Sequence, residues 1–372
     1  MDDEYRIWAR LFSKEPRLSF FAWQIELTTR CPLKCRMCIR DTAAEWHSAD
    51  MPIDDFRRLS PYFRKVENLV LEGWGEPLLY KDLIEAVRIV KAAGSHPGFV
   101  TSGWGLNREY ISDLIEGGLD FIGFSLAGAI PETHDSIRIN SHLPDVLRAI
   151  GEFNRIKADK GRERPALHIV YLVLEDNIAE ISQLLDLAKT VGIGTVVLIN
   201  PAQVSSNRQN EQKVFSCGGN EAYEQILKEA KIRAEKSKIE LRTPCAAPRI
   251  HAVCAENPMR NLFISVDGEV SPCVYLYPPI PSPVRKFYCG KEVAVEKLSF
   301  GNIFSETLES IWRSEPYAEF RRSLETRRRQ LEKCFSPGAL VDPDTDRVSR
   351  AREIILSDPP VPCRTCHRML GI

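Results

Sequence analysis

Six short apolar runs divide the first half of the chain: FAWQIEL (21–27), NLVLEG (68–73), GFVTSG (98–103), FIGFSLAG (121–128), ALHIVYLVL (166–174) and TVVLIN (195–200). Each has the length of a buried strand. Between them lie KDLIEAVRIVKAAG, NREYISDLIEGG, LPDVLRAIGEFNRIK and IAEISQLLDLAKTVG, which carry helical spacing, and several end in the glycine that commonly closes a helix. Repeated β-then-α implies parallel strands joined by right-handed crossovers, either curled toward a barrel or open as a doubly wound sheet. In both arrangements function sits at the C-terminal ends of the strands.

The chemically distinctive residues obey that rule. TTRCPLKCRMCIRD (28–41) follows the first run, GWGEP ends the second, TSG the third and SLAG the fourth. This agreement favours a barrel-like α/β fold. From about residue 205 the pattern changes to a polar connection, SSNRQNEQKVF, then a helix near 220–237. A hairpin signal follows in NLFISVDGEVSPC, with Asp267-Gly268 at its turn. A charged helical stretch (305–330) and a loop-like end (358–372) complete the chain. The expected organisation is an N-terminal segment (1–20), a barrel unit (21–210) and a second unit (211–372).

The 50 Lys and Arg balance 51 Asp and Glu, so no global field favours nucleic acid or an anionic membrane. The N-terminal stretch lacks the apolar run of a signal peptide, and no segment approaches the ~20 apolar residues of a membrane span. A cytoplasmic protein without membrane or nucleic-acid partners is expected. In that setting eleven cysteines point to metal or redox chemistry rather than a disulfide framework. Three stand at Cys31, Cys35 and Cys38, none from residue 39 to 216, and eight from Cys217 onward.

Three thiolates with spacings of three and two residues can hold three corners of a four-iron cluster, leaving one iron open. Pro32 shapes the loop, and Arg30, Lys34, Arg36 and Arg40 would offset the cluster's negative charge. A zinc site completed by a distant ligand such as His47 is the bland alternative.

Cys-x3-Cys-x2-Cys after the first strand of a β/α repeat resembles the signature of the radical S-adenosylmethionine (radical SAM) superfamily. That resemblance implies a partial (β/α)6 TIM-like barrel. It also implies a [4Fe–4S] cluster whose open iron is chelated by SAM, and reductive cleavage of SAM to a 5′-deoxyadenosyl radical that takes hydrogen from a substrate. An electron donor such as ferredoxin or flavodoxin would be required. Met37 stands where the family usually has an aromatic residue, its backbone toward adenine. Gly73, Gly75 and Glu76 look like the family's glycine-glycine-glutamate element, with Trp74 replacing one glycine, and would receive the SAM ammonium group.

Thr101, Ser102 and Ser125 match positions that contact the carboxylate or ribose, and Arg138 a recurring arginine that reaches the SAM carboxylate. Helix capping is the plainer role for the hydroxyls, and a solvated helix face for the arginine. Asn177 and Asn200 either line the pocket or terminate strands. His134 and His168 read as structural, and Trp23, Trp74 and Trp104 as core.

Cys254-x13-Gly268-x4-Cys273 resembles the entry to the SPASM and shorter twitch extensions of radical SAM enzymes, and Cys363-x2-Cys366 supplies a further pair. The resemblance makes Cys254, Cys273, Cys363 and Cys366 the ligands of one auxiliary [4Fe–4S] cluster. The cysteines that continue a full SPASM motif are missing after Cys366. A second auxiliary cluster would have to draw on Cys217, Cys245, Cys289 and Cys334, and a zinc ribbon is the structural alternative.

The implied function is radical modification of a peptide, protein or metallocofactor, in a manner similar to maturases of tungsten oxidoreductases. A small-molecule dehydrogenase or dehydratase of aminosugar type is the second reading. A non-catalytic iron–sulfur or zinc redox protein is a third, of another class. No catalytic side chain stands out from sequence.

Overall fold

The computed structural model describes residues 19–249, 251–334, 353 and 359–372. Most of the expected N-terminal segment lies outside these. The strands are β1 (Phe20–Ile25), β2 (Lys34–Cys35), β3 (Val66–Val70), β4 (His96–Thr101), β5 (Phe121–Leu126), β6 (Arg138–Ile139), β7 (Ala166–Leu172) and β8 (Thr195–Ile199). They continue with β9 (Glu240–Arg242), β10 (Asn261–Ile264), β11 (Val270–Ser271), β12 (Val284–Tyr288) and β13 (Lys291–Val295). The six apolar runs are the strands β1, β3, β4, β5, β7 and β8.

The helices are α1 (Ile53–Phe63), α2 (Leu83–Ala92), α3 (Arg108–Gly117), α4 (Pro131–Ile137), α5 (Leu143–Asp159) and α6 (Ile181–Thr190). Beyond them come α7 (Asn207–Gln212), α8 (Glu221–Ser237), α9 (Leu308–Arg313) and α10 (Glu315–Cys334).

One nine-stranded sheet runs β11-β10-β1-β3-β4-β5-β7-β8-β9, parallel throughout except for β10–β11. The six principal strands are neighbours in chain order. A doubly wound sheet reverses direction at a switch point; unbroken order is that of a barrel left open. The partial barrel is therefore as expected. Sequence reading missed the additions: β9 extends the β8 edge and β10 lies parallel to β1, pairing Trp23 with Leu262 and Ile25 with Ile264.

Alternation along the strands separates two faces. Trp23 and Ile25 on β1, Leu69 on β3, Phe99 on β4, Ile122 and Phe124 on β5, and Ile169 and Tyr171 on β7 are buried under the helices. Helix α1, which no quoted pattern predicted, closes this layer with Phe56, Leu59 and Phe63, and the Phe63 ring meets Trp23 edge-on with centroids 6.4 Å apart. The opposite row, which includes Val70, Val100, Ser125 and Val170, is only partly buried and faces the concave side. Trp23 is core as expected, whereas Trp104 is 46% exposed.

The expected hairpin forms between β10 and β11, with the Gly268 N–H donating to the Ser265 carbonyl at 2.9 Å. Gly268 adopts φ +85°, and a β-carbon there would collide with the Phe304 ring. We expect Gly268→Ala to cost about 2 kcal/mol or more, because strain and overlap add. A lowered urea midpoint with unchanged slope would confirm this; an unchanged midpoint would refute it.

Candidate active site

The cysteine loop leaves the sheet after β1 and is closed at its base. The Thr28 hydroxyl donates to Asp50 Oδ1 at 2.6 Å and the Thr29 amide to the Ala49 carbonyl at 3.0 Å. Arg30 grips both oxygens of Asp50, at 2.8 and 2.5 Å, and reaches the Leu79 carbonyl at 3.1 Å. Two further elements hold the loop's tip. Strand β2 pairs with β6, placing Cys35 opposite Arg138, while Gln209 of α7 donates to the carbonyls of Arg36 and Cys38, both at 3.2 Å.

Burial pushes the Cys31 and Cys38 thiols up to about 11 and raises Cys35, with Arg40 and Arg138 opposing the rise. Arg138 thus faces the cysteines as well as terminating α4, and its Nε is buried without a partner. An unfilled cationic donor beside Cys35 and Cys38 fits an anionic group seated on this loop. His47, the alternative zinc ligand, turns away and pairs with Asp267 at 3.0 Å.

The GWGEP turn docks directly onto the base of the loop. A β-carbon at Gly75 would collide with the Thr28 carbonyl and lie 2.7 Å from that of Arg30; one at Gly73 would strike the Glu26 side chain. The Glu76 N–H donates to the Arg30 carbonyl at 2.8 Å. Both glycines therefore serve close contact within the protein. Glu76 itself is buried and hydrogen-bonded at both oxygens. Oε1 accepts from Thr101 Oγ1 (2.5 Å) and the Leu78 amide (3.2 Å), and Oε2 from the Ser102 hydroxyl (2.6 Å) and amide (2.8 Å). Thr101 and Ser102 thus hold Glu76 in place, and an incoming ammonium would meet a carboxylate already fixed.

Ser125 lies on the concave row of β5. Met37 packs against the small apolar cluster of Ala127, Ile137 and Leu174, with Leu172. Asn177 is structural: it accepts from the Leu174 amide and donates to Ala127 and Leu172, tying the ends of β5 and β7. Asn200 likewise binds Cys245 and Tyr223. His134 is satisfied by the Ala127 amide and Ser141, as expected of a structural histidine.

Sequence reading missed two carboxyls. Glu26, at the end of β1, accepts from the Trp74 amide at 2.7 Å and lines a cavity of about 390 Å³ with Trp46, His47, Asp267, Tyr277 and Lys297. Burial lifts it to about 8. Glu72, at the end of β3, accepts from the Val100 amide, and burial, with Glu76 and Glu256 nearby, lifts it to about 7. The available signal was an acid closing an apolar run.

Four C-terminal cysteines are brought to one place. Cys254, Cys273, Cys363 and Cys366 line one cavity with Glu256, Tyr275, Lys286 and Arg368. Burial lifts Cys254 to about 12 and Cys273 and Cys363 well above the thiol range. Arg368 pairs with Glu256 at 2.7 Å, and Trp74 crosses from the GWGEP turn to donate to the Val274 carbonyl at 3.2 Å and meet Tyr275 edge-on. Tetrahedral zinc would draw thiolates to about 3.8 Å from one another. Among the described residues, the group of three ligand atoms within 4.8 Å is Cys217, Cys289 and His367, so neither expected set sits at single-ion distance. Cys217 and Cys289 form a disulfide, which the reading against a disulfide framework did not anticipate. Cys245 is free, and the Cys334 side chain lies outside the described residues.

The buried Glu26 gives a pH prediction. A carboxyl raised from 4.5 to about 8 on folding contributes stability that is present below 4.5 and lost as pH rises through about 8. Relative to wild type, Glu26→Gln should gain on the order of 2–4 kcal/mol between pH 5 and pH 8.5. Parallel stability curves across that range would contradict it.

Residues 25–188 match the Radical SAM superfamily and residues 254–336 the SPASM iron–sulfur cluster-binding domain. The chain is 25% identical over 304 residues to the tungsten-containing aldehyde ferredoxin oxidoreductase cofactor-modifying protein of Pyrococcus furiosus, covering 80% of this chain and 82% of that protein. It is 32% identical over 114 residues to the PqqA peptide cyclase of Rhizobium meliloti, 30% of each chain. The structure of Streptococcus suis SuiB bound to S-adenosylmethionine superposes with a TM-score of 0.61 at 16% identity, covering 87% of this chain and 72% of that one. Among the described residues, no helix is long and apolar enough to cross a membrane.

Proposed function

The chain is an enzyme of the radical SAM superfamily carrying a C-terminal SPASM domain, and from that premise we propose that it matures a peptide, a protein or a protein-associated metallocofactor. The observation that carries this reading is the relative aligned over four-fifths of both chains, whose name describes a cofactor-modifying protein. The local match to a peptide cyclase supports it.

In this reading residues 21–210 form the barrel unit and 211–372 the auxiliary unit. Cys31, Cys35 and Cys38 hold the [4Fe–4S] cluster, and Cys254, Cys273, Cys363 and Cys366 hold an auxiliary one. Cluster and SAM, when bound, supply the 5′-deoxyadenosyl radical that takes hydrogen from the substrate. The protein's part is placement. Thr101 and Ser102 fix Glu76 for the SAM ammonium group, Arg138 stands ready for its carboxylate, Ser125 for a hydroxyl, and Met37 flanks the apolar cleft for adenine. Glu72, whose carboxyl interacts electrostatically with both Glu76 and Glu256, would receive a substrate's donor group.

Anaerobically reconstituted protein given dithionite and SAM should release 5′-deoxyadenosine; its absence would overturn the catalytic reading. A Cys31/Cys35/Cys38→Ala triple variant should lose about four irons per chain and all of that product. Retention of iron, or a protein containing zinc alone, would refute the ligand assignment. Incubation with a co-expressed precursor peptide or oxidoreductase, followed by mass spectrometry of that partner, tests the maturation reading; turnover of free aminosugars instead would displace it.

A further inference from the structure

Outside both proposed cluster sites, three potential ligands meet at the junction of three segments. Cys217 lies in the loop between α7 and α8, Cys289 at the tight turn joining β12 and β13, and His367 in the last helical turn. Their ligand atoms all lie within 4.8 Å of one another. The sulfurs are joined as a disulfide with Cα atoms 5.4 Å apart. His367 is buried, its ring held between Phe215 (4.9 Å) and Tyr288 (5.2 Å). The Cys289 amide donates to His367 Nε2 at 3.3 Å, so this nitrogen carries its lone pair toward Cys289.

We propose that Cys217, Cys289 and His367 form, in the reduced protein, a mononuclear site for a soft divalent cation of the zinc type, and that the disulfide is its metal-free oxidised state. Two thiolates and an imidazole are a zinc donor set. Bonds of about 2.3 Å to sulfur and 2.0–2.1 Å to nitrogen need ligand atoms about 3.5–3.8 Å apart, so a spread within 4.8 Å requires little movement. A four-iron cube would need its ligand atoms spaced more widely than this. Cys289 is on the exposed side, which leaves the fourth position to water.

The interconversion balances with a dithiol as reductant. It transfers two electrons and two protons to the Cys217–Cys289 bond, becoming a disulfide itself, and zinc then displaces the two thiol protons. Protein kept reducing enough to maintain the other cysteines as thiolates would hold this pair open as well. The disulfide joins two segments; the metal would join a third, the segment that also carries Cys363 and Cys366.

The test uses anaerobically reconstituted, cluster-loaded protein given Zn2+ with a dithiol reductant, then desalted and assayed for zinc and iron. Wild type should retain about one zinc per chain beyond its iron. Cys217→Ser/Cys289→Ser should lose that zinc while keeping its iron, and His367→Gln should bind zinc about tenfold more weakly. Loss of about four irons from the double variant would make these cysteines cluster ligands and overturn the proposal. Wild type also suffices should the variants misfold. Zinc should shield Cys217 and Cys289 from iodoacetamide, as read by peptide mass spectrometry, and a disulfide oxidant should release it. Full alkylation in the presence of zinc, or a pair that stays oxidised under the dithiol, would overturn the assignment.

Discussion

The close approach of Gly75 to the carbonyls of Thr28 and Arg30 is the contact on which the rest of the site depends. It brings the turn after β3 against the base of the loop after β1, where the Glu76 amide is tied to Arg30, one residue from Cys31. Glu76 then engages Thr101 and Ser102 at the end of β4. Three strand ends are thereby locked by short hydrogen bonds with no flexible side chain between the first two. Any β-carbon at residue 75 would push the loop from the turn and misplace the cysteines relative to Glu76. Preorganisation of this kind comes from backbone contact, which tolerates less adjustment than side-chain packing.

Electrostatics at the strand ends follow the same economy of charge. Burial raises all three loop thiols, so their ionised forms need positive partners, and Arg40 and Arg138 are placed to provide them. Glu76 opposes them, adding to the rise of Cys31 and Cys35. Glu26 and Glu72 sit deep enough that protonation is favoured up to about pH 8 and 7. At neutral pH Glu26 therefore adds little negative charge, while Glu72 remains poised between its two states. A donor arriving beside Glu72 would favour its ionised form without reorganising the sheet.

Sequence made the scaffold legible because buried parallel strands leave continuous apolar runs, and all six reappear in chain order. The cysteine sets were legible because their members cluster in spacing or flank a turn such as Gly268, and four of them line one cavity. Long-range choices left no such local mark. Strand β10 looks like half of a hairpin, yet it also pairs in parallel with β1 more than 200 residues away, as the Ala22 amide bonding the Asn261 side chain shows. Gln209 sits in an unremarkable polar connection and becomes a clamp on the cysteine loop only after β8 brings it there. His47 was a plausible ligand by proximity in sequence; folding carries it to Asp267 instead. The Cys217–Cys289 pair, 72 residues apart, depends on the packing of two loops that no periodicity encodes.

The pairing of β10 with β1 also explains how two distant cysteine sets keep a fixed relation. Cys31 follows β1, and Cys273 follows β11, which is hydrogen-bonded to β10 and through it to β1. A continuous ladder of backbone hydrogen bonds thus separates the two sets, with no hinge among these strands. Trp74 adds a second strut from the turn that Gly75 anchors, reaching the Val274 carbonyl immediately after Cys273 and the ring of Tyr275 beyond it. The two neighbouring positions face opposite requirements. Residue 75 points into backbone and admits no side chain, whereas residue 74 points across the gap to the second unit and needs a long one. A tryptophan where the family pattern has glycine therefore converts a permissive turn residue into the bridge that ties the proposed SAM site to the auxiliary cavity.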